Sequence, residues 1–146
     1  MWGQASSQGL SPYQRLIVAS IVEREARMAD ERPLIASVYI NRLKRNMRLE
    51  ADPTVQYAMG YQAKTGSWWK TPVALEEYSN ILSPYNTYLN DSLPPSPICS
   101  PGLSAIRAAF DPAKTDYLFF LARGDGTHVF AKTFEEHQAN IAKYQK

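Results

Sequence analysis

The segment from Tyr13 to Met28 most limits how this chain can fold, because it has the pattern of a helix with one apolar face. Its apolar residues recur at spacings of three and four, which predicts a helix over the whole segment. The apolar face carries Val18, Ile21, Val22, Met28 and Ala29, together with a single acid, Glu25. The opposite face carries Ser20, Glu23, Arg24 and Arg27.

Glu25 is therefore the first candidate for a functional residue. A charged carboxylate within an apolar face is costly to bury, so it either finds a partner or keeps its proton near neutral pH. A carboxylic acid that is protonated near neutral pH can serve as a general acid. The alternative is a buried structural acid held by a backbone amide or an arginine.

Glu23 is the natural comparison, since it lies two residues away and on the other side of the helix. Arg27 follows it by four residues, in the order that favours an exposed ion pair. We interpret Glu23 as a solvated or paired surface residue.

Length and charge limit the class of protein. The 146 residues suffice for one domain with a hydrophobic core, and the formal net charge is +2. The basic residues are dispersed, and we interpret the densest group as a solvated helix face. That group consists of Arg42, Lys44, Arg45 and Arg48. No nucleic-acid-binding motif is visible, so nucleic acid is not expected as a partner.

Several simple features are missing from the sequence. Cys99 is the single cysteine, so an internal disulfide is impossible, and a small buried side chain is its default role. His128 and His137 lie nine residues apart without metal-ligand spacing, and we expect neither a metal nor a cofactor. No run is long enough to cross a bilayer, and no signal peptide is visible.

Proline and glycine signals divide the remaining chain. They predict helices over residues 33–45, 53–60, 73–78 and 101–110, and a last helix that starts at Thr133 with a capping box to Glu136. Strands are predicted over 85–89, 117–123 and 128–132, the last two as a hairpin. Residues 93–102 carry four prolines and predict an ordered loop that crosses the core or a cleft. This order predicts an α+β domain with a small antiparallel sheet.

Several runs coincide, in order, with one known family. They are 19–25, 36–43, Met47 to Tyr57 with its Asp-Pro-Thr segment, 84–88, 93–95, 97–98, 101–102, 117–120 and 128–130. Over Tyr13 to Tyr144 the chain resembles the YceG-like endolytic murein transglycosylases. Two positions depart from the family pattern, because Ser92 and Ser96 stand where glycine is usual.

The resemblance implies an enzyme with a lysozyme-like arrangement, in which a helical lobe carries the catalytic acid beside a small antiparallel sheet. The second acid of the family's Glu-x-Glu pair corresponds to Glu25, the residue that the helix pattern also selects. The substrate would be the glycan strands of peptidoglycan. Glu25 would protonate the oxygen between N-acetylmuramic acid and N-acetylglucosamine. It would then accept a proton from the muramic C6 hydroxyl, which gives a 1,6-anhydro end.

Other residues would have to orient the sugars. Within the runs that resemble the family, our candidates for substrate binding are Asp52, Asn86, Thr87 and Tyr88. A helix cap is the alternative role for Asp52. On the predicted strand, Asn86 and Tyr88 would share one face and Thr87 the other, so not all of them can face the cleft.

Five further residues have two possible roles each. Trp68 and Trp69 could stack on sugar rings, although at least one is expected in the core. Asn41 and Arg42 match the family and could instead brace the Glu25 helix. His128 could donate a hydrogen bond in the cleft or be a satisfied structural histidine.

The resemblance also implies a setting. Relatives usually carry a membrane anchor and a small LysM-like domain before the catalytic part, and neither is in this chain. We expect residues 1–12 to be a disordered or artificially added segment and residues 13–146 to form the catalytic domain. The expected location is the extracytoplasmic face of the bacterial inner membrane, reached only through such an anchor, with cell-wall synthases as candidate partners.

Two alternatives to a lytic transglycosylase stay open. A muramidase would hydrolyse the same bond, and it would need a second carboxylate or a positioned water near Glu25, for which Asp52 is the natural candidate. A glycan-binding module without catalysis is the second alternative.

Overall fold

A computed structural model describes residues 9–145 and gives an α+β domain, as predicted. The helices are α1 (Pro12–Glu25), α2 (Arg32–Lys44), α3 (Asp52–Met59), α4 (Glu77–Asn80), α5 (Leu103–Phe110) and α6 (Phe134–Tyr144), with a 3-10 turn at Ala29–Glu31. The strands are β1 (Phe119–Ala122) and β2 (His128–Ala131), which pair antiparallel.

Helix α1 ends three residues before the predicted end. Ala26 adopts an extended conformation and is buried, with 7% of its surface exposed, so the chain leaves the helix directly after Glu25. Met28 and Ala29 are exposed rather than part of the apolar face. Glu25 is consequently the last residue of the helix and not the middle of a long apolar stripe.

The core forms where α1 packs against α2 and α5. Ile21 of α1 and Ile35 of α2 are fully buried. Helix α5 contributes the small residues Ala105, Ala108 and Ala109, which allow close approach of the other helices. Burial of this apolar area is the main stabilising contribution to the fold.

The folded part begins before the boundary that the sequence suggested. Leu10 is 8% exposed and belongs to the core. The Ser11 hydroxyl caps α1 by accepting from the Gln14 amide (3.1 Å), and the Gln14 side chain accepts from the Ser11 amide (2.8 Å). Residues 9–12 therefore belong to the fold, while residues 1–8 lie outside the described part of the chain.

The hairpin and the last helix follow the prediction. Phe119 pairs with Ala131 and Ala122 pairs with His128 across the two strands. The turn between them includes two glycines with positive φ, which suits residues without a Cβ. The capping box of Thr133 with Glu136 starts α6, and α6 packs on the hairpin.

Two side chains of α2, expected to brace α1, instead hold the hairpin. The Asn41 amide donates to the carbonyls of Thr115 and Tyr117, each at 2.9 Å. The Arg42 guanidinium donates to the Leu118 carbonyl at 2.7 Å and is only 8% exposed. The prediction of a solvated face is therefore wrong for Arg42, because its charge is used to hold the main chain of the other lobe.

The predicted strand at 85–89 is wrong. Residues 84–92 form turns, and the preceding helix is α4 at Glu77–Asn80 instead of 73–78. The Asn86 side chain explains the turns, since it donates to the carbonyls of Tyr78 (3.2 Å) and Ile81 (2.8 Å) and accepts from the Tyr88 amide (2.9 Å).

The proline-rich loop lies against α1 on the face away from Glu25. Ser20 accepts from the Ile98 amide (3.0 Å) through its hydroxyl, and its carbonyl accepts from the Cys99 thiol (3.2 Å). Glu23 accepts from the Gly102 amide at 2.8 Å. Glu23 is thus half-buried and holds this loop, instead of pairing with Arg27.

Within residues 9–145, no helix is long and apolar enough to cross a membrane.

The two serines that replace glycines have opposite consequences for stability. Ser92 has φ +68°, a left-handed conformation that costs a non-glycine residue about 1 kcal/mol. Ser96 has no positive φ, and its hydroxyl forms a 2.6 Å hydrogen bond with the Tyr85 hydroxyl.

We predict that Ser92→Gly raises the free energy of unfolding by about 0.5–1 kcal/mol, because relief of strain exceeds the added freedom of the unfolded chain. Ser96→Gly is the matched control and should lower it by about 1 kcal/mol through loss of the hydrogen bond. Urea unfolding of both variants measures the two changes. A shift of both in the same direction would contradict this interpretation of the loop.

Candidate active site

A cleft of about 740 Å³ runs between the helical lobe and the hairpin. Glu25, Tyr39 and Asp52 border it from α1, α2 and α3. Phe120 and His128 border it from the hairpin. A concave site of this size with converging polar groups is typical of an active site.

Glu25 is set up to hold a proton. The buried Tyr39 hydroxyl donates to Glu25 Oε2 at 3.0 Å. Burial by surrounding protein, reinforced by the negative charge of Asp52, raises the pKa of Glu25 to about 7, while the Tyr39 hydrogen bond acts in the opposite direction. The carboxyl group nevertheless remains partly accessible from the cleft. The alternative role for Glu25 was a structural acid held by a backbone amide or an arginine. Within residues 9–145, neither kind of group bonds to the Glu25 carboxyl group.

Asp52 is held by two tyrosines and does not cap its helix. Ala51 occupies the cap position, and Asp52 is the first helical residue, without a side-chain capping bond. Asp52 Oδ1 accepts from the Tyr88 hydroxyl (2.6 Å) and Oδ2 from the Tyr78 hydroxyl (3.0 Å). The helix-cap alternative is therefore wrong, because both carboxylate oxygens are used inside the cleft.

The two tyrosines keep their protons. Burial raises the pKa of Tyr78 to about 12 and that of Tyr88 further, and Asp52 adds to both. Their ring centroids lie 4.4 Å apart, so the two rings support each other beside the carboxylate. Tyr78 and Tyr88 thus act as fixed hydrogen-bond donors to Asp52.

Asn86 and Thr87 lie behind the cleft wall and do not border it. Asn86 is fully buried and shapes the turn between Tyr78 and Tyr88. The Thr87 hydroxyl accepts from the Ala51 amide at 2.9 Å, directly before Asp52. Of the four substrate-binding candidates, the structure brings Asp52 and Tyr88 into the cleft and gives the other two a supporting position.

The aromatic and histidine candidates separate in the same way. Trp69 packs against the core, whereas Trp68 is 62% exposed. His128 borders the cleft, but its Nδ1 lies 2.9 Å from Glu31 Oε1, and its amide donates to the same carboxylate at 2.9 Å.

Burial raises the pKa of the half-buried Cys99 thiol. Within residues 9–145, no group of three or more His, Cys, Asp or Glu side chains could hold a metal ion.

Two residues of the site escaped the sequence analysis. Tyr39 entered it only as one position within the helix predicted over 33–45, and Tyr78 only as the last position of the helix predicted over 73–78. The available signal was chemical, because a buried tyrosine hydroxyl needs a hydrogen-bond partner and the acids are the natural acceptors.

A carboxylic acid with a pKa raised to about 7, in the same cleft as a second carboxyl group bound by two tyrosines, defines a general-acid site on an α+β domain. Residues 1–143 match the model of the YceG-like family, and the chain belongs to this family. It is 45% identical over 135 residues to the endolytic murein transglycosylase of Bacillus subtilis. It is 37% identical over 139 residues to the endolytic murein transglycosylase of Streptococcus pneumoniae.

A solved structure agrees with the family assignment. The crystal structure of a YceG-like protein from Listeria monocytogenes superimposes with a TM-score of 0.78 at 43% identity, over 91% of this chain and 40% of that one. The alignments cover 92% and 94% of this chain but only 35% of the Bacillus protein and 25% of the Streptococcus protein. The chain therefore spans about a third or less of the length of these two relatives.

The electrostatic model of the site predicts opposite shifts from two variants. Asp52→Asn removes a negative charge and should lower the pKa of Glu25. Tyr39→Phe removes a hydrogen bond that favours the carboxylate and should raise it. Carbon NMR titration of labelled glutamate carboxyls, with Glu25→Gln to identify the resonance, measures both. Shifts of the same sign would contradict the model.

The raised pKa also predicts how stability depends on pH. A carboxyl whose pKa is higher in the folded state stabilises the fold at low pH, and this contribution disappears as pH rises from 4.5 to about 7. Above pH 7, the free energy of unfolding of Glu25→Gln should therefore exceed that of wild type by on the order of 2 kcal/mol. This is less than the full pKa shift would give, because Glu25 is partly accessible. Urea unfolding at pH 4.5 and pH 8 measures the difference. An equal effect of the substitution at both pH values would refute it.

Proposed function

We propose that the protein is an endolytic lytic transglycosylase that cleaves peptidoglycan glycan strands between N-acetylmuramic acid and N-acetylglucosamine. The observation that carries the proposal is the position of Glu25, a carboxylic acid with a pKa of about 7 that is accessible from a cleft. The names of the Bacillus and Streptococcus relatives support the same reaction.

In the first step, Glu25 donates its proton to the glycosidic oxygen. Tyr39 bonds Oε2, so the proton to be transferred resides on Oε1. The bond from C1 of the muramic residue to this oxygen breaks, its electrons stay on the leaving oxygen, and positive charge develops at C1. General-acid catalysis of this kind is most effective when the pKa of the acid is near the working pH.

In the second step, the Glu25 carboxylate accepts the proton of the muramic C6 hydroxyl. The freed oxygen bonds to C1, which closes the 1,6-anhydro ring and returns Glu25 to its acid form without use of water. The Tyr39 hydrogen bond stabilises the carboxylate between the two steps, because it favours the charged form of Glu25.

Asp52 suits a supporting electrostatic role in these steps. Its negative charge raises the pKa of Glu25 before the reaction and can stabilise positive charge at C1 during it. The tyrosine hydrogen bonds to each of its oxygens fix its position and occupy both oxygens.

A muramidase that hydrolyses the same bond is the second candidate, since Asp52 borders the same cleft as Glu25. Hydrolysis would require Asp52 to activate water or attack C1 itself. The products distinguish the reactions, because anhydro ends are lighter than hydrolytic ends by the mass of one water.

Location and partners belong to the proposal as well. We propose that the reaction takes place at the extracytoplasmic face of the bacterial inner membrane, next to cell-wall synthases. This rests on the family to which the chain belongs and on the names of its relatives.

The test of function is incubation with purified sacculi and mass spectrometry of the new chain ends. We expect anhydro ends within the strands and a loss of at least a hundredfold in rate for Glu25→Gln, which retains shape but cannot donate the proton. Predominantly hydrolytic ends would favour the muramidase, and cleavage that persists in Glu25→Gln would overturn the assignment of the acid.

Glu23→Gln is the matched control, two residues away on the same helix. Its amide oxygen can still accept from the Gly102 amide, so the loop should stay in place and most activity should remain. If this control were inactive and Glu25→Gln active, the two acids would have exchanged roles.

A further inference from the structure

Exposed aromatic side chains are concentrated on α3 and the loop that follows it. Tyr57 is 40% exposed, Tyr61 54% and Trp68 62%, and the ring centroids of Tyr61 and Trp68 lie 5.4 Å apart at 64°. Tyr61 and Trp68 are in ring contact and both more than half exposed, so they form one exposed aromatic pair. The rings of Tyr61 and Trp68 meet edge to face and are not part of the core, and more than half of each residue stays exposed to a ligand.

The loop that carries the two rings is closed by its own hydrogen bonds. Gln62 and Ser67 form an antiparallel bridge, with the Gln62 amide donating to the Ser67 carbonyl at 2.8 Å. The Gly66 amide donates to the Gln62 carbonyl at 2.8 Å. Tyr61 and Trp68 stand directly before and after this bridge, so the pair is held together before any ligand arrives.

The backbone separates the two neighbouring tryptophans. Trp69 has φ +60°, a strained conformation for a residue other than glycine. Trp69 packs against the core beneath the Arg24 guanidinium, which lies 3.9 Å from the ring centroid, whereas Trp68 stays outside. Strain of this kind is retained where the surrounding structure uses it, and here it keeps Trp68 exposed.

The loop is fixed to the edge of the cleft. Arg24, which stacks on Trp69, borders the cleft and is adjacent to Glu25 in α1. Gln56 also borders the cleft, and its amide donates to the Lys70 carbonyl (2.8 Å) and the Thr71 hydroxyl (2.9 Å). The exposed rings are thus coupled to the helix that carries the acid.

We infer that Tyr61 and Trp68 form an aromatic platform that binds a sugar ring of the glycan strand outside the cleft. This inference rests on the proposed function, since a polymer bound across Glu25 has to leave the cleft at its ends. Pyranose rings present faces of C–H groups, and these faces stack on exposed aromatic rings. The platform would add affinity for long strands and would leave the chemistry at Glu25 unchanged.

The test measures binding and turnover separately. Trp68→Ala and Tyr61→Ala are made in a Glu25→Gln background, and affinity for purified soluble glycan strands is measured by calorimetry. We expect roughly tenfold weaker binding, as for loss of one stacked aromatic contact. Trp68→Phe should restore most of it. Tyr13→Ala, which removes a tyrosine with the same exposure (53%) at the start of α1, should bind as the parent does.

In the active protein, Trp68→Ala should raise KM for long strands about tenfold with kcat unchanged, and should leave turnover of a tetrasaccharide unchanged. Binding and KM equal to those of Tyr13→Ala would overturn the platform and leave the proposed function intact. Weaker strand binding in a protein that cleaves no glycan would support the platform while removing the proposed function.

Discussion

The site depends on one constraint, the burial of the Glu25 carboxyl group where α1 ends. A carboxylate there would be shielded from bulk water, would face the charge of Asp52, and would lie at the helix end whose free carbonyls disfavour negative charge. The Tyr39 hydrogen bond opposes these effects by favouring the carboxylate, and the resulting pKa of Glu25 is about 7. An acid set between opposing influences can both release and recover a proton within one catalytic cycle.

The rest of the domain can be understood as support for this arrangement. Helix α2 directs Tyr39 toward the acid and, two and three residues later and within the same turn, holds the hairpin with Asn41 and Arg42. The turns at 84–92 place Tyr88 against Asp52, and buried Asn86 and Thr87 hold those turns in shape. Residues that never meet a ligand therefore decide where the charges lie.

Local sequence signals were sufficient for part of this structure. Proline, glycine and capping signals predicted α2, α3, α5, the hairpin and α6, and periodicity predicted α1 and selected Glu25. It could not predict the early end of α1, which follows from the burial of Ala26 by distant residues. It also gave a strand at 85–89, since aromatic residues favour strands unless a side chain such as Asn86 bonds the backbone.

The site was less predictable than the fold. Asp52 followed by proline fits both a helix cap and a first helical residue, and only the positions of Tyr78 and Tyr88 decide between them. Arg42 looked like part of a basic surface, because its partners are carbonyl groups that no sequence pattern reveals.

The anchors from α2 to the hairpin have a consequence for how this lobe can change. Towards the hairpin, the hydrogen bonds of Asn41 and Arg42 go to the main-chain carbonyl oxygens of residues 115, 117 and 118, and every amino acid supplies such an oxygen. Apart from Thr115, whose hydroxyl bonds to Ser37, and Phe119, whose ring lies against Arg42, side chains along this segment can vary without loss of these hydrogen bonds. The segment that leads into one wall of the cleft can thereby diversify, or be redesigned, while the opposite wall keeps Glu25 in its position.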